Sequence, residues 1–363
     1  MILILCAACD TSQPPQPGIG KLVPWSELPG WDIDDHSQAW PALRANCKAL
    51  ADQPAWQPIC TAMAQLQEPN SAQARTFFET WFKAHELAGA DGSLQGLITG
   101  YYEPLLRGSL EADERFAFPL YARPDSLLRF DLGELAPTLA DNTLRGRLEG
   151  RVVRPFYSRA AIESSAAPLR GNEVIWVDNA ADAFFLHVQG SGRVLLEDGR
   201  ILGLGFADHN GHPYVSIGKV LVEKGELALE DVSLFSIRQW LRDNPAQAQQ
   251  LYNENPRYIF FVLKGESDTG AVGSLNVPLT PGRSIAIDPT VVPLGTPVWL
   301  STRQPGPDKL PLQQLVFAQD TGAAIKGPLR ADMFWGYGKE AEFAAGTMKE
   351  EGSMLVLLPV TLN

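Results

Sequence analysis

Residues 284–300 read SIAIDPTVVPLGTPVWL, a run of β-branched and apolar residues that Pro and Gly interrupt at short intervals. Three similar runs occupy residues 257–264, 312–322 and 353–362, with the sequences RYIFFVLK, LQQLVFAQDTG and SMLVLLPVTL. β-branched and aromatic side chains favour strands, and Pro and Gly favour the turns between strands. The C-terminal third is therefore predicted to consist of short strands, and the fold to be mainly β.

The composition of the whole chain is that of a globular protein. Its 363 residues suffice for two or three domains with real hydrophobic cores. The 45% hydrophobic and 20% charged residues exclude wholesale disorder, collagen and a multi-pass membrane protein. The 32 Gly and 28 Pro residues favour many short elements over a helical bundle. The net charge of -12 would repel phosphate backbones, so no nucleic-acid partner is expected.

Two further segments have patterns that predict secondary structure. Residues 71–88, SAQARTFFETWFKAHELA, place aromatic residues on one helical face, and Gly89 follows them. This pattern predicts one amphipathic helix with Ser71 as its cap. Residues 184–207, FFLHVQGSGRVLLEDGRILGLGFA, predict two strands around residues 190–192. Two more helices are predicted, at residues 216–227 and from Ser233 onward with a break before Pro245.

The N-terminus resembles a lipoprotein signal whose start is missing. Residues 1–8, MILILCAA, are apolar but too few to span a bilayer. In the pattern LCAAC at residues 5–9, Cys9 would be the residue that carries the lipid. Residues 11–20, TSQPPQPGIG, would then be a linker that tethers a domain to the membrane. The alternative is an ordinary apolar N-terminus.

Cys47 and Cys60 lie in one short segment, ANCKALADQPAWQPICTAM. In an exported protein they are candidates for a disulfide bond, which on the chain-entropy model would contribute about 3 kcal/mol. Two buried free thiols are the alternative. The one CxxC motif, Cys6 to Cys9, lies in the signal-like N-terminal segment, and Cys47 and Cys60 do not form a second one, so a zinc ribbon is excluded.

Three aspartates are the candidates for chemistry: Asp288 in AIDPTVVPLGT, Asp320 in FAQDTGAAIKG and Asp332 in RADMFWG. Each follows an apolar run and precedes a Gly or Pro turn or an aromatic cluster. Apolar surroundings raise the pKa of a carboxylic acid, and a general acid for a glycosidic oxygen needs a raised pKa. The alternative is that these aspartates only hydrogen-bond their own turns, which is common beside Gly and Pro.

Two other kinds of site are weaker alternatives. The tetrapeptide DTGA of aspartic proteases occurs at residues 268–271 and 320–323, but 52 residues are too few to separate two protease lobes. His209 and His212 flank Asn210-Gly211, a pair typical of a tight turn rather than of a metal site. The sequence lacks the G-x-S-x-G, P-loop and H-E-x-x-H motifs.

Four stretches together resemble the membrane-bound lytic murein transglycosylase A family: ITGYYEP (98–104), HVQGSGRV (187–194), VPLTPGRSIAIDPTVVPLGTPVWL (277–300) and AQDTGAAIKGPLRADMFWGYG (318–338). The resemblance implies a double-psi β-barrel domain with peripheral helices, formed by residues 21–103 and 256–363. It also implies an inserted β-rich domain at residues 104–255, with a groove between the two domains. Residues 1–20 would be the truncated signal and linker.

The resemblance implies cleavage of the β-1,4 bond between N-acetylmuramic acid and N-acetylglucosamine in peptidoglycan, with formation of 1,6-anhydro-muramic acid. Asp332 would be the catalytic residue, acting first as an acid and then as a base. Asp320 and Asp288 would support it, and Lys326 would pair with one of them. No metal and no organic cofactor are implied.

Residues on both sides of the groove would bind substrate, and peptidoglycan glycan strands would be the main partner. The implied location is the periplasm, with a lipid anchor in the outer membrane, and cell-wall synthesis and degradation proteins are candidate partners. Two alternatives stay open, a glycoside hydrolase with two carboxylates and a non-catalytic glycan-binding module. The candidate substrate-binding residues are Thr99, Tyr101, Tyr102, Gln189, Ser191, Lys326 and Trp335.

Overall fold

The computed structural model describes residues 18–134, 138, 143–265 and 270–360. The strands are Gly18–Val23 (β1), Phe82–Ala88 (β2), Gly96–Glu103 (β3), Leu105–Ser109 (β4), Phe118–Tyr121 (β5), Leu128–Asp131 (β6), Thr143–Glu149 (β7), Val152–Pro155 (β8), Glu173–Val177 (β9), Gly192–Leu196 (β10), Ile201–His209 (β11), Ile259–Lys264 (β12), Ser284–Ile287 (β13), Pro297–Arg303 (β14), Pro311–Thr321 (β15), Ala331–Tyr337 (β16) and Lys349–Pro359 (β17). The helices are Trp40–Leu50 (α1), Gln57–Gln65 (α2), Ser71–Trp81 (α3), Arg159–Ile162 (α4), Ala180–Gln189 (α5), Ile217–Glu223 (α6), Leu234–Asp243 (α7), Pro245–Asn253 (α8) and Lys339–Thr347 (α9).

Six strands close into a barrel in the order β17, β14, β15, β13, β16 and β3, because β3 pairs back onto β17. The pairs β13–β15 and β16–β3 are parallel, and the other pairs in the ring are antiparallel. β2 and β1 extend the sheet outward from β17. The predicted fold class is confirmed: the protein is mainly β, with a six-stranded barrel and a second β-rich sheet.

The barrel interior is filled by apolar side chains from alternating strand positions, each nearly inaccessible to solvent. Burying such a side chain contributes about 1.5–3 kcal/mol, so this cluster is the main stabilising element of the barrel. Its buried members include Ile98, Ile285, Ile287, Val298, Leu300, Val316, Met333, Met354 and Val356.

A second sheet has the strand order β12, β11, β10, β4, β9 and β5, and β6, β7 and β8 form a small third sheet. The chain enters the second sheet directly after β3, at Pro104, and α5 to α8 lie between its strands in sequence. The sheet includes β12, which begins after the predicted end of the insert at residue 255. The division of the chain into domains at residues 104 and 255 stays a prediction.

The predicted helix at residues 71–88 is wrong in its second half. α3 ends at Trp81, and Phe82–Ala88 is a strand that pairs with β1 and β17. Phe82 and Ala84 are buried while Lys83 between them is exposed, which is the alternation of a strand. The tertiary pairing overrides the helical propensity of KAHELA. The cap is Asn70, whose side chain accepts a hydrogen bond from Gln73 N, rather than Ser71.

The predicted strand at residues 184–189 is also wrong, because these residues form the second half of α5. Asn179 caps this helix, and Gly190 ends it in a left-handed conformation with φ 84°. Glycine adopts that conformation without the steric cost that a side chain would add. Only the second predicted strand is present there, as β10 from Gly192.

Cys47 and Cys60 form a disulfide bond between α1 and α2, with 5.4 Å between their Cα atoms. Both residues belong to a buried cluster that packs these helices against the outside of the barrel. We expect the double variant Cys47→Ser/Cys60→Ser to lower the free energy of unfolding by about 3 kcal/mol, because its unfolded chain regains loop entropy. Urea denaturation measures this loss. The parent protein in reducing agent is the control and should show the same loss, whereas a loss below about 1 kcal/mol would contradict the expectation.

Among the described residues, no helix is both long enough and apolar enough to cross a membrane. The lipidation candidate Cys9 lies outside the described residues, and so do residues 268 and 269 of the first DTGA copy.

Candidate functional site

The strand register brings two of the three candidate aspartates onto one face of the barrel wall. Asp320 on β15 pairs with Ala286 on β13, Ala286 pairs with Asp332 on β16, and Asp332 pairs with Thr99 on β3. Neighbouring strands lie about 4.8 Å apart and paired residues point to the same face, so about 10 Å separates the Cα atoms of the two aspartates. Ala286 between them carries only a methyl side chain and is itself buried.

Asp332 is held by a short chain of hydrogen bonds. Thr99 Oγ1 donates to Asp332 Oδ1 at 2.6 Å, and Arg330 Nη2 donates to Thr99 Oγ1 at 2.8 Å. Burial raises the pKa of Asp332, the Thr99 hydrogen bond and the Arg330 charge lower it, and the Asp320 charge raises it. The net pKa lies above the ordinary value, so Asp332 keeps its proton to a higher pH than a solvated aspartate.

Asp320 accepts hydrogen bonds on both carboxyl oxygens. Oδ1 accepts from Ser274 N and Ser274 Oγ, both at 3.0 Å, and from Thr321 N at 2.9 Å. Oδ2 accepts from the hydroxyl of Tyr101 at 2.8 Å. Burial raises the pKa of Asp320 more than these bonds lower it. Asp320 thus has a raised pKa, but its oxygens are already occupied by protein donors.

Asp288 does not face the other two aspartates. Its Oδ1 accepts from Thr290 N at 3.1 Å and from Thr290 Oγ1 at 2.8 Å, and its Oδ2 accepts from Gly327 N at 2.9 Å. Burial raises the pKa of Asp288, but the hydrogen bonds and the Lys326 charge outweigh it, so the net pKa is lowered. These contacts match a turn-holding aspartate that joins the loop after β13 to the loop before β16.

A groove of about 700 Å³ lies between the barrel and the second sheet. From the barrel side Tyr101, Asp320 and Lys326 line it. Asp332 is not among the described residues that line this volume. Asp332 pairs with Thr99, and the next pair on the same face of the wall is Phe334 with Tyr101. Two residues of a strand span about 7 Å, so Asp332 lies about that far from the part of the wall that lines the groove. On the opposite side the lining residues come from the second sheet, the segments joined to it and β7 of the third sheet, and include Arg145, Gln189, Ser191, Phe206, His209 and Arg257.

The structure places four of the predicted substrate-binding residues on the groove. Tyr101, Gln189, Ser191 and Lys326 line it, and Gln189 Oε1 also accepts a hydrogen bond from the backbone N of Tyr102 at 3.1 Å. That bond ties the end of α5 to β3. Thr99 contacts Asp332 instead, so its side chain is placed to orient the carboxyl group.

Tyr102 and Trp335 are predicted to bind substrate, but the structure places both away from the groove. The Tyr102 side chain is buried and donates its hydroxyl hydrogen to Glu342 Oε1 at 3.1 Å. Trp335 packs against the barrel core, and its Nε1 lies 3.4 Å from Met348 Sδ. The physical reason is strand alternation, since each residue is one position out of phase with Thr99 or Asp332.

Sequence reasoning missed three contributors to this site. Arg330 supports Thr99, and Ser274 supports Asp320. Tyr214 lies in the loop between β11 and α6; burial raises its pKa and the charge of Asp332 raises it further, which indicates that the loop approaches Asp332. Arg330 lies directly before β16 and two residues before Asp332, so the two-residue period of a strand is the signal that would have placed it on the side of Asp332. We find no sequence signal for Ser274 or Tyr214.

His209 and His212 show no metal-binding arrangement. His209 Nδ1 accepts a hydrogen bond from Gly211 N at 3.0 Å, and His212 Nε2 lies 2.8 Å from the carbonyl oxygen of Phe156. Burial, with the charges of Arg257 and Arg145, lowers the pKa of His209 to about 4. Within the described parts of the chain, no group of three or more His, Cys, Asp or Glu residues is arranged to hold a metal ion.

Comparison with known proteins gives consistent matches over most of the chain. The model of the MltA specific insert domain matches residues 97–262, and that of the 3D domain matches residues 283–358. Membrane-bound lytic murein transglycosylase A of Vibrio cholerae is 31% identical over 296 residues, which is 78% of this chain and 70% of that protein.

Two solved structures show the same fold. The crystal structure of MltA from Neisseria gonorrhoeae has a TM-score of 0.82 at 34% identity and covers 96% of either chain. The crystal structure of Escherichia coli MltA with bound chitohexaose has a TM-score of 0.72 at 25% identity, over 96% of this chain and 95% of that chain. The chain therefore belongs to the membrane-bound lytic murein transglycosylase A family, and the enzyme class predicted from the sequence is confirmed.

Proposed function

We propose that this enzyme cleaves the β-1,4 bond between N-acetylmuramic acid and N-acetylglucosamine in peptidoglycan and leaves a 1,6-anhydro-muramic acid end. The observation that carries the proposal is Asp332 itself. It has a raised pKa, it is oriented by Thr99, and its Oδ2 has no hydrogen-bond partner among the described residues. A protonated carboxyl group with one free oxygen beside a groove is suited to donate a proton to a glycosidic oxygen.

In the proposed mechanism one carboxyl group serves both steps. Asp332 protonates the glycosidic oxygen, and the bond between C1 of the muramic acid and that oxygen breaks. The C6 hydroxyl of the same sugar then attacks C1, and its proton returns to Asp332. The attacking oxygen belongs to the sugar that it attacks, which replaces the water and the second carboxylate of an ordinary glycoside hydrolase.

The other two aspartates fit supporting roles. Both oxygens of Asp320 are occupied by protein donors, so its charge would act on the positive charge that develops at C1 rather than on a transferred proton. Asp288 is nine-tenths buried and holds two loops, which fits a structural role. This difference in hydrogen bonding argues against the alternative of two equivalent catalytic carboxylates. The raised pKa of Asp332 argues against a non-catalytic glycan-binding module.

Glycan strands are the proposed substrate, and the cell envelope is the proposed location. The relative from E. coli binds chitohexaose, and the related proteins are named membrane-bound. The groove beside Asp320 is open, and its volume of about 700 Å³ has room for an oligosaccharide. Lipid attachment through Cys9 and recruitment by other cell-wall proteins stay predictions.

The products of digestion test the proposal. Purified sacculi are incubated with the protein, and the released muropeptides are examined by mass spectrometry. We expect ends lighter by one water than those of hydrolysed muropeptides, because the ring closes internally. Free reducing ends would mean that water is the nucleophile and would favour a hydrolase with two carboxylates.

Thr99→Val tests how Asp332 is oriented. The hydroxyl of Thr99 lowers the pKa of Asp332, so its removal should raise that pKa further. Activity that needs protonated Asp332 should then persist to a higher pH. The alkaline limb of the pH–rate profile should shift to a higher pH. Activity at the optimum should fall about tenfold, because the lost bond involves an ionisable partner.

The matched control for Thr99→Val is Thr290→Val, which removes the corresponding hydroxyl from Asp288. Its pH–rate profile should keep the alkaline limb of the parent. An unchanged profile in Thr99→Val would show that Asp332 does not set that limb.

A further inference from the structure

A separate cavity of about 290 Å³ lies within the second-sheet part of the protein, between β5, α4, α5 and α8. We name it the aromatic cavity and define it by Tyr121, Arg159, Phe184, His187, Tyr252 and Tyr258. It shares no lining residue with the groove among the described parts of the chain. One helix separates the two, because His187 of α5 lines the cavity and Gln189 of the same helix lines the groove.

Four buried polar groups of this cavity have no protein partner among the described residues. They are the hydroxyls of Tyr121, Tyr252 and Tyr258 and Nε2 of His187, on side chains between 1% and 7% exposed. Some described polar atoms have no hydrogen-bond partner and no contact with solvent, but they belong to other residues than these four. These four groups therefore open onto the cavity that they line. Polar groups that open onto a cavity are free to bond to water or to a ligand, so the cavity is suited to a molecule that bonds to them.

The charged groups of the cavity are already paired, which favours a neutral ligand. The Arg159 guanidinium donates to the carbonyl oxygens of Asn255 at 3.2 Å and Arg257 at 2.9 Å, and to Glu163 Oε1 at 2.7 Å. Glu163 Oε2 accepts from Gln249 Nε2 at 2.9 Å. A ligand with a net charge would find no unpaired opposite charge here.

The free groups of the cavity are neutral and suit hydroxyl groups. His187 Nδ1 accepts a hydrogen bond from Ile259 N at 3.2 Å, so Nε2 carries the ring proton and is a donor. Burial and the Arg159 charge lower the pKa of His187 well below its ordinary value, and the ring stays neutral. Burial raises the pKa of the three tyrosines, so their hydroxyls stay protonated and can both donate and accept.

Apolar side chains form the rest of the cavity wall, among them Pro119, Ile162 and Ala183. The Phe184 ring stacks on the Tyr252 ring with 4.9 Å between centroids, and the Arg159 guanidinium lies over the Phe184 ring at 4.8 Å. The volume is at the small end for ligand pockets. A sugar ring combines apolar faces with hydroxyl groups on its edge, and one ring fits a cavity of this size. We propose that the aromatic cavity is a second saccharide-binding site, outside the catalytic groove, that takes one neutral sugar ring. The choice of N-acetylglucosamine as its probe rests on the proposed function.

The test is a titration of the full chain carrying Asp332→Asn with N-acetylglucosamine. The methyl NMR signal of Ile162, which lines the cavity, reports binding there and not in the groove. We expect this signal to shift saturably, with a dissociation constant of about 1 mM. The variant Tyr121→Phe/Tyr258→Phe removes two hydroxyls, keeps both rings and should weaken this binding about tenfold.

Two further variants keep the test decisive. Tyr157→Phe changes a tyrosine that lines neither the cavity nor the groove, and it should bind like its parent. Ala117→Trp adds bulk at the exposed rim of the cavity and should block binding without disturbing the core. An Ile162 signal that does not respond to the sugar, or equal binding by the tyrosine pair variant, would overturn the proposal.

Co-sedimentation with sacculi distinguishes two sources of the sugar. Weaker pelleting of the tyrosine pair variant would mean that the cavity holds a ring of the glycan polymer. Unchanged pelleting with lost N-acetylglucosamine binding would mean that it holds a free sugar. Product analysis on the parent is independent of both results, so absence of anhydro ends would overturn the proposed function and leave this inference standing.

Discussion

Asp332→Asn is expected to reduce the release of anhydro-muropeptides from sacculi by about 10³-fold, while the protein still binds them. The amide keeps the shape of the carboxyl group and can still accept the hydrogen bond from Thr99 Oγ1. It cannot donate a proton to a glycosidic oxygen, and general acid–base catalysis commonly contributes 10²- to 10⁴-fold. Initial rates of product release, measured beside co-sedimentation, separate the loss of chemistry from a loss of binding.

The stability of this variant provides an independent check on the state of Asp332. Burial raises the pKa of Asp332 in the folded protein. Such a group stabilises the fold below the unfolded pKa, and that contribution is lost as the pH rises through the raised folded pKa. Asparagine does not ionise, so Asp332→Asn does not lose stability in this way as the pH rises. The melting temperature of Asp332→Asn at pH 7 should therefore equal or exceed that of the parent, and the difference should shrink as the pH falls.

Asp320→Asn is the comparison that decides between one catalytic carboxylate and two. In the proposed mechanism Asp320 acts only through its charge, so its amide should lower activity by about tenfold and leave the anhydro product unchanged. A hydrolase with two carboxylates would lose as much activity with Asp320→Asn as with Asp332→Asn. Equal losses together with reducing-end products would contradict the single-acid mechanism.

The family motifs in the sequence identify the strands of the site but do not show which face of a strand each residue takes. Thr99 and Tyr101 lie two positions apart on β3, and both lie at the site. Tyr102 follows Tyr101 and Trp335 follows Phe334 by one residue, and that single step turns their side chains away from the groove. The motif therefore identified the strands, and the pleat decides which of their residues can touch a substrate.

Tertiary pairing accounts for most of what local patterns did not predict. Phe82–Ala88 has a helix-compatible sequence but has β1 and β17 on either side, so backbone pairing makes it a strand. Ala180–Gln189 has β-favouring aromatic residues, yet Asn179 and Gly190 cap it as a helix. Ser274 and Tyr214 reach the site from separate loops, and nothing in one sequence shows how distant loops approach each other.

Asp34→Ala is expected to lower the free energy of unfolding by about 3–5 kcal/mol, the largest stability effect among these variants. The Asp34 carboxylate receives two hydrogen bonds from the Arg283 guanidinium, at 2.8 Å and 2.9 Å. It receives a third from Leu315 N at 3.0 Å. The two charged side chains are only 4% and 7% exposed. Removing the carboxylate leaves a buried guanidinium without its ion-pair partner, and the cost of that broken pair sets the magnitude.

Two matched variants separate the buried pair from charge removal in general. Glu223→Gln breaks the exposed pair with Lys219 on α6 and should cost less than about 0.5 kcal/mol. Asp34→Leu/Arg283→Met removes both buried charges and should recover most of the stability that Asp34→Ala loses, because an apolar pair needs no compensation.

Arg283 immediately precedes β13, the strand that holds Ala286 between the two aspartates. Asp34→Ala should therefore also lower activity. If the variant is fully active and loses less than about 1 kcal/mol of stability, this pair does not hold the barrel wall in place.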